Sequence, residues 1–285
     1  NILVCYSGLT PTNLLKVVNA IEQIINQSEQ LREHINFIFS NIIAMVNNTA
    51  PLIMKMKPED IEQKIIEYLP IRQDKKDKNG EVFTPKSLID EMLDKIPAHV
   101  WKDPSKKWLD PANGIGNFPM VIFQKLVEKL PDNYDGPNGK YSGEEGKKKH
   151  ILKNMLYMAE LDPTNVKISR RIFGKDANIC CANFLEQEDK WRKEFGGLDK
   201  FDVIVGNPPF QKQIKNIDER GKGSRTLWDK FIEKTLEMLN QKGFLGFITP
   251  PPWRKPESEL YELMTKDNQL LYLHIYNKNK NENKI

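Results

Sequence analysis

The segment "LDPANGIGNF" at residues 109–118 changes from apolar to glycine-rich within a few positions. It predicts a strand that ends at Asp110, a tight turn through Gly114 and Gly116, and a helix that begins near Asn117. The amino terminus of a helix behind a glycine turn suits a polar or anionic ligand group, which indicates a nucleotide-like cofactor. The alternative interpretation is that the glycines only turn the chain from strand to helix.

The sequence on both sides of this segment alternates between short apolar runs and helical patterns. Strand-length runs lie at 107–110, 154–160, 178–184, 201–207, 243–249 and 270–277. Helical patterns lie at 117–130, 147–153, 163–173, 226–241 and 256–265. This alternation predicts a doubly wound α/β domain over residues 80–285.

Residues 1–79 have a different character. Apolar residues recur at helical spacing over 12–47, and "KPEDIEQKIIEYLP" at 57–70 predicts a further helix with Pro58 in its first turn. The lysine and aspartate run at 72–79 is typical of a solvated linker. We therefore expect a helical amino-terminal region and linker, 1–79, ahead of the α/β domain.

Composition limits the functional classes. The 285 residues are 39% hydrophobic and carry a formal net charge of +4, which supports a substantial core and permits a polyanionic partner without requiring one. Cys5, Cys180 and Cys181 form no CxxC pair, so we expect reduced, buried thiols and no metal site. No apolar run is long enough for a bilayer and there is no secretory signal, so we expect an intracellular, cytoplasmic protein without a membrane partner.

A second polar exit follows the strand at 154–160. Glu160 ends this run, and the carboxyl ends of parallel strands gather the ligand in such folds. An acid at this place can accept both hydroxyls of a ribose, while Leu161 can lie on an adenine face. The alternative is a solvated carboxylate or a helix cap, and Asp162 before Pro163 is itself a good cap candidate.

The third exit, "VIVGNPPF" at 203–210, runs an apolar strand into two prolines. Prolines stiffen the backbone and restrict the residue before them, so the Asn207 side chain and the Pro208 carbonyl can be held in fixed positions. Phe210 adds a flat aromatic face. Two acceptors and a platform form a clamp for a planar amino group, whereas a plain turn is the alternative.

These residues resemble a known family. "GNPPF" at 206–210 resembles the (D/N/S)PP(Y/F/W) motif of S-adenosylmethionine-dependent amino methyltransferases, and "DPANGIGNF" at 110–118 resembles their cofactor loop, with Asn113 where cysteine is common. "GEVFTP" at 80–85 resembles the motif that precedes this loop in adenine-specific DNA methyltransferases of the gamma type. The resemblance covers residues 80–277 and implies a Rossmann-like methyltransferase sheet.

The resemblance also implies roles for individual residues. Asn207, Pro208 and Phe210 would be catalytic and would receive an adenine flipped out of the duplex. Asn183 and Phe184 match a third motif that contacts the adenine of the cofactor. The full set implied to bind S-adenosylmethionine is Thr84, Pro85, Asp110, Ala112, Gly114, Gly116, Glu160, Leu161, Asn183, Phe184 and Asn207.

The expected function is methylation of adenine N6 in double-stranded DNA, as in restriction-modification systems. A basic segment follows the clamp and predicts a phosphate-contacting loop, although an ordinary solvated loop is equally compatible. Its basic residues are Lys212, Lys215, Arg220, Lys222 and Arg225. Beyond residue 277 there is only a polar tail, so target recognition is expected from a missing region or from a separate recognition or nuclease subunit. The alternatives are an amino methyltransferase of RNA or of a protein glutamine, and a catalytically silent DNA-binding subunit.

Overall fold

The computed structural model describes residues 51–57, 59–60, 63, 84–137, 139–210 and 226–275. These residues belong to one unit of the chain, Pro51–Ile285. The helices predicted at 12–47 and over most of 57–70, the basic segment 211–225 and the polar tail lie outside the described residues. The predicted boundary between residues 79 and 80 also lies outside them and stays a prediction.

The strands and helices alternate along the described chain. The strands are β1 Trp108–Asp110, β2 Asn133–Gly136, β3 Gly139–Ser142, β4 Leu156–Glu160, β5 Asn178–Cys181, β6 Phe201–Gly206 and β7 Leu239–Phe247. The α-helices are α1 Leu52–Lys55, α2 Lys86–Leu93, α3 Ala98–Trp101, α4 Asn117–Lys129, α5 Gly143–His150, α6 Pro163–Phe173, α7 Glu188–Glu194, α8 Trp228–Met238 and α9 Glu259–Thr265. A π-helical turn spans Ile151–Met155 and a 3₁₀ turn spans Pro251–Arg254.

Five strands form a parallel sheet in the order β5-β4-β1-β6-β7, and β2 and β3 form a separate antiparallel hairpin. The first strand therefore lies in the centre, with the second and third sheet strands on one side and the fourth and fifth on the other. This reversal of strand order between β1 and β6 is the switch point of a doubly wound fold. The predicted α/β class is confirmed.

The inner strands are apolar because both faces of the sheet are covered. All of β1, the first four residues of β4 and most of β6 are buried. Alternate strand residues, among them Leu109 and Ile204, enter one core cluster with Trp191 of α7 and Phe231 of α8. This packing fixes the strand ends at which the candidate site lies.

One predicted strand is wrong and several bounds shift. Residues 270–275 form no strand, and their apolar side chains are 41 to 59% exposed, since β7 is the last strand of the described sheet and no neighbour pairs with this segment. The Tyr272 hydroxyl instead donates to Glu91 Oε1 at 2.7 Å. The strand predicted to begin at 154 begins at Leu156 after the π-helical turn, and the strand predicted to end at 184 ends at Cys181. Helix α6 has the predicted bounds, 163–173.

None of the helices in the described ranges combines the length and the apolar character that a bilayer span requires.

Candidate active site

Asp110 ends β1 in the middle of the sheet and is 1% exposed. Its Oδ1 accepts a hydrogen bond from the Ala112 N–H at 3.1 Å. Burial raises the pKa of the Asp110 carboxyl to about 8, with the Ala112 N–H acting against this rise and the nearby charge of Glu160 adding to it. Burial therefore favours the protonated form of this carboxyl.

The glycine loop between β1 and α4 requires its glycines. Gly114 has φ 59° and Gly116 has φ 102°, a region that residues with a Cβ rarely adopt. A Cβ on Gly116 would also lie 2.5 Å from the Phe173 ring of α6. The loop is tied to the sheet by the Asn113 N–H, which donates to the Ala159 carbonyl of β4 at 3.0 Å. The glycines thus allow a close approach of the loop, β4 and α6.

A buried polar brace, Asn113 and Ser169, supports this loop from behind. Asn113 Nδ2 donates to Ser169 Oγ at 2.8 Å and to the Gly114 carbonyl at 3.1 Å. The Ser169 hydroxyl donates to the same carbonyl at 3.3 Å and is fully buried. Sequence reasoning noted Asn113 but missed Ser169. The available signal was polar residues at 165 and 169, four positions apart on the apolar face of α6.

Glu160 connects the end of β4 to the glycine loop. Its Oε2 accepts from the Gly114 N–H at 2.7 Å, and its Oε1 accepts from the Asp162 N–H at 2.7 Å. Leu161 beside it is 63% exposed. Asp162 is the predicted cap of α6, because its side chain accepts from the Thr164 N–H at 2.7 Å.

The Asn-Pro-Pro-Phe segment leaves β6 next to Asp110. Gly206, the last residue of β6, is so near that a Cβ there would lie 2.7 Å from Asp110 Oδ1. Asn207 is half-buried, Pro208 is buried and Pro209 is exposed. Asn207 Nδ2 donates to Thr84 Oγ1 at 3.1 Å, which brings the end of the "GEVFTP" motif to the clamp. The residues predicted at the exits of β1 and β6 therefore share one edge of the sheet.

Phe210 is half-buried and packs against a hydrophobic cluster of aromatic and aliphatic side chains. The cluster contains Trp228 of α8 and Trp253 of the 3₁₀ turn, both nearly buried. The Phe210 carbonyl accepts from the Leu227 N–H at 3.1 Å. Phe210 is thus packed against the cluster while part of the residue remains accessible. Trp253 therefore packs inside this cluster.

Asn183 and Phe184 take part in internal contacts after β5. Asn183 Oδ1 accepts from the Leu185 N–H at 3.2 Å, and its Nδ2 donates to Glu186 Oε2 at 2.8 Å. The Phe184 ring is 2% exposed and stacks on both Trp191 and Phe231, with centroids 5.4 and 5.9 Å away. These contacts order the turn after β5, and a cofactor contact of this pair stays a prediction.

The described cysteines are free thiols. Cys180 is buried and Cys181 is partly exposed. Burial, together with the nearby Glu194, raises the pKa of the Cys180 thiol to about 12, so it stays protonated and is a poor nucleophile. Within the part of the chain that the structure describes, no group of three or more His, Cys, Asp or Glu side chains is arranged to hold a metal ion.

A glycine loop, an acid at the next strand exit and an Asn-Pro-Pro-Phe clamp thus lie at the switch point of one parallel sheet, where doubly wound folds bind their ligands. Residues 146–281 match the model of the Eco57I restriction-modification methylase family. This match and the relatives described next confirm the predicted resemblance to adenine-specific methyltransferases of restriction-modification systems.

Two relatives illustrate the similarity. An "Uncharacterized adenine-specific methylase" of Mycoplasma pneumoniae is 24% identical over 250 residues, which cover 61% of this chain and 56% of that protein. The modification methylase CviBIII of Paramecium bursaria Chlorella virus NC1A is 29% identical over 185 residues, covering 63% of this chain and 40% of the viral protein. The chain thus matches about half the length of these relatives.

Among solved structures, a modification subunit of a putative type I restriction enzyme from Vibrio vulnificus YJ016 is similar in fold. Its TM-score is 0.50 at 16% sequence identity, and the match covers 73% of this chain and 44% of that subunit. This likeness supports the Rossmann-like methyltransferase fold.

Proposed function

We propose that this protein transfers a methyl group from S-adenosyl-L-methionine to the exocyclic N6 amino group of adenine in double-stranded DNA. The observation that carries the proposal is the clamp at the exit of β6, where Gly206 lies against Asp110 at the buried end of β1 and Asn207 bonds to Thr84. The similarity to methylases of restriction-modification systems supports DNA as the substrate.

The residues around the glycine loop fit S-adenosylmethionine. Glu160 is held at the exit of β4 by two backbone N–H groups and would accept the ribose hydroxyls, while Leu161 offers an exposed apolar surface to the adenine. The wall of the cofactor pocket would be formed by Asp110, Ala112, Gly114 and Gly116. Thr84 and Pro85 would lie near the methionine end of the cofactor. When bound, this cofactor supplies an electrophilic methyl group on a sulfonium centre.

The residues of the chain itself would bind and orient the adenine N6 amino group, which is a poor nucleophile. The lone pair of an aromatic amine is delocalised into its ring, so the amine needs acceptors that draw its hydrogens out of the ring plane. Asn207 Oδ1 and the Pro208 carbonyl would accept these two hydrogens and aim the nitrogen at the methyl group. Phe210 would stack on the adenine after it is flipped out of the duplex.

The wider assembly belongs to the same proposal. The basic segment with Lys212, Lys215, Arg220, Lys222 and Arg225 would contact DNA phosphates, and its positive charge supports this role. A separate recognition or nuclease subunit, or a further domain, would select the target sequence. The chain matches only part of the length of its longer relatives. Their activities and partners are therefore proposals for this chain.

The decisive experiment measures transfer of label from radiolabelled S-adenosylmethionine to unmethylated, AT-rich duplex DNA. We expect label in N6-methyladenine for the wild-type protein, and a loss on the order of 100-fold or more for Asn207→Ala, because one clamp acceptor is removed. Asn133→Ala in the exposed β2–β3 hairpin is the matched control and should retain wild-type transfer.

Two results would overturn the proposal. Label that enters RNA or a protein glutamine, but not DNA, would establish one of the alternative amino substrates. Binding of S-adenosylmethionine without transfer to any of these would identify a catalytically silent subunit.

A further inference from the structure

We infer that Thr84 is a positioning residue that anchors the Asn207 side-chain amide in the orientation of the structure, with its NH₂ end on the Thr84 hydroxyl and its oxygen left for the substrate. The inference rests on the proposed function and adds a residue role to it. Asn207 Nδ2 donates to Thr84 Oγ1 at 3.1 Å, across 123 positions of sequence. Thr84 is 4% exposed, so its hydroxyl acts on a contact sheltered from water.

The orientation matters because the two ends of an asparagine amide have opposite chemistry. The oxygen accepts hydrogen bonds and the NH₂ group donates them, and a half-turn about the last side-chain torsion exchanges the two. Only the oxygen can accept a hydrogen from an amino group. The bond to Thr84 is the one hydrogen bond of the Asn207 side chain among the described residues, and it engages the NH₂ end.

Both partners of this bond have restricted backbones. Thr84 precedes Pro85 and Asn207 precedes Pro208, and a following proline disfavours the helical region for the residue before it. Two side chains on stiffened backbones can hold one relative geometry with little loss of conformational entropy. The hydrogen bond between Thr84 and Asn207 is therefore suited to keeping the Asn207 amide in one orientation through repeated turnovers.

Helix α2 anchors Thr84 to the rest of the site. The Pro85 carbonyl accepts from the Leu88 and Ile89 N–H groups at 3.1 Å, which starts α2 directly after Thr84. Ile89 and Leu93 on α2 are fully buried, and α2 packs against α4, the helix that begins behind Gly116. The clamp amide is thus oriented by an element that also packs against the helix of the glycine loop.

The test compares Thr84→Val, which removes the hydroxyl and keeps the branched shape, with Thr84→Ser, which keeps the hydroxyl. For Thr84→Val we expect kcat of methyl transfer at saturating cofactor and DNA to fall about tenfold, the effect of one lost hydrogen bond. Cofactor Kd is measured in parallel by calorimetry, because Thr84 is also expected near the methionine end of the cofactor, and Thr84→Ser should restore most of kcat. On the Asn207→Ala background, Thr84→Val should have no further effect, because the amide it orients is gone.

Thr235→Val is the matched control. Thr235 is also fully buried, but its hydroxyl donates to the Phe231 carbonyl within α8, so its loss should leave kcat unchanged. Wild-type methylation of adenine with an unchanged kcat in Thr84→Val would overturn the inference and leave the proposed function standing. A raised cofactor Kd with unchanged kcat would also overturn it, since Thr84 would then act on the cofactor. Absence of methyl transfer by the wild-type protein would instead overturn the proposed function.

Discussion

The two halves of the candidate site, the glycine loop and the Asn-Pro-Pro-Phe clamp, lie at the same sheet edge but are built differently. Asp110 and Asn113 of the loop are at most 5% exposed, and their side chains bond to neighbouring backbone or to Ser169. Asn207 of the clamp is half-buried, with a single side-chain hydrogen bond in the described structure. Internal bonds therefore shape the loop, whereas the clamp keeps acceptor capacity for a substrate.

The halves meet at Gly206, and a substitution there should damage both. In Gly206→Ala the new Cβ would lie 2.7 Å from Asp110 Oδ1 and 3.7 Å from Pro111 Cδ, between two strands that cannot easily separate. We expect unfolding free energy to fall by about 1–3 kcal/mol, the usual cost of overpacking a core. Cofactor Kd and kcat should both worsen, with a combined loss on the order of 100-fold in the transfer assay.

Gly246→Ala is the matched control on the neighbouring strand. Its Cβ would meet one side-chain atom, Val205 Cγ1, at 3.3 Å, where a small shift can relieve the contact. We expect a loss below about 1 kcal/mol and nearly wild-type transfer. A Gly206→Ala protein that resembled this control would show that the two halves are not coupled through the contact of β6 with Asp110.

The halves should also differ in their response to pH, because only the loop contains a buried titratable group. The pKa of Asp110 is raised to about 8 from 3.8, so between these pH values the folded protein holds a proton that the unfolded chain has lost. Unfolding free energy contributed by this group therefore falls as pH rises from about 4 to 8 and levels off above about 8.

Asp110→Asn removes this titration. Relative to the variant, the wild-type protein without cofactor should lose on the order of 1–3 kcal/mol of unfolding free energy between pH 5.5 and 8, measured by urea denaturation. Asn207→Ala should keep the wild-type pH dependence, since Asn207, Pro208 and Phe210 carry no titratable group. Parallel pH curves for wild type and Asp110→Asn would contradict the raised pKa.

Much of the site was predictable because its signals are local in sequence. Gly114 and Gly116 predict a turn that needs positive φ, and their φ angles in the structure are 59° and 102°. Asp162 before Pro163 predicts a helix cap, which the structure has at α6. The apolar runs that end at Asp110, Glu160 and Gly206 predict strand exits, because buried parallel strands are continuously apolar.

The parts that were not predictable depend on partners distant in sequence. Thr84 and Asn207 are 123 positions apart and Asn113 and Ser169 are 56 apart, so no local pattern pairs them. For the segment 270–275 the sequence predicted a strand that does not form. Its apolar residues have strand propensity, but they have no adjacent strand in the described sheet. Whether such residues form a strand depends on what they pack against, and the sequence alone does not show this.

The smallest predicted effect is that of Ser169→Ala, which should change cofactor Kd but not kcat and so distinguishes the loop from the clamp. Ser169→Ala removes one partner of the buried Asn113 amide, while the Gly114 carbonyl still accepts from it at 3.1 Å. We expect unfolding free energy to fall by about 1 kcal/mol and cofactor Kd to rise a few fold, as for one buried hydrogen bond, with kcat at saturating cofactor unchanged. Ser258→Ala, at the start of α9, is the control and should leave cofactor Kd unaltered. A lowered kcat with unchanged Kd would mean that the buried brace acts on the clamp, and the division between a loop that binds and a clamp that orients would no longer hold.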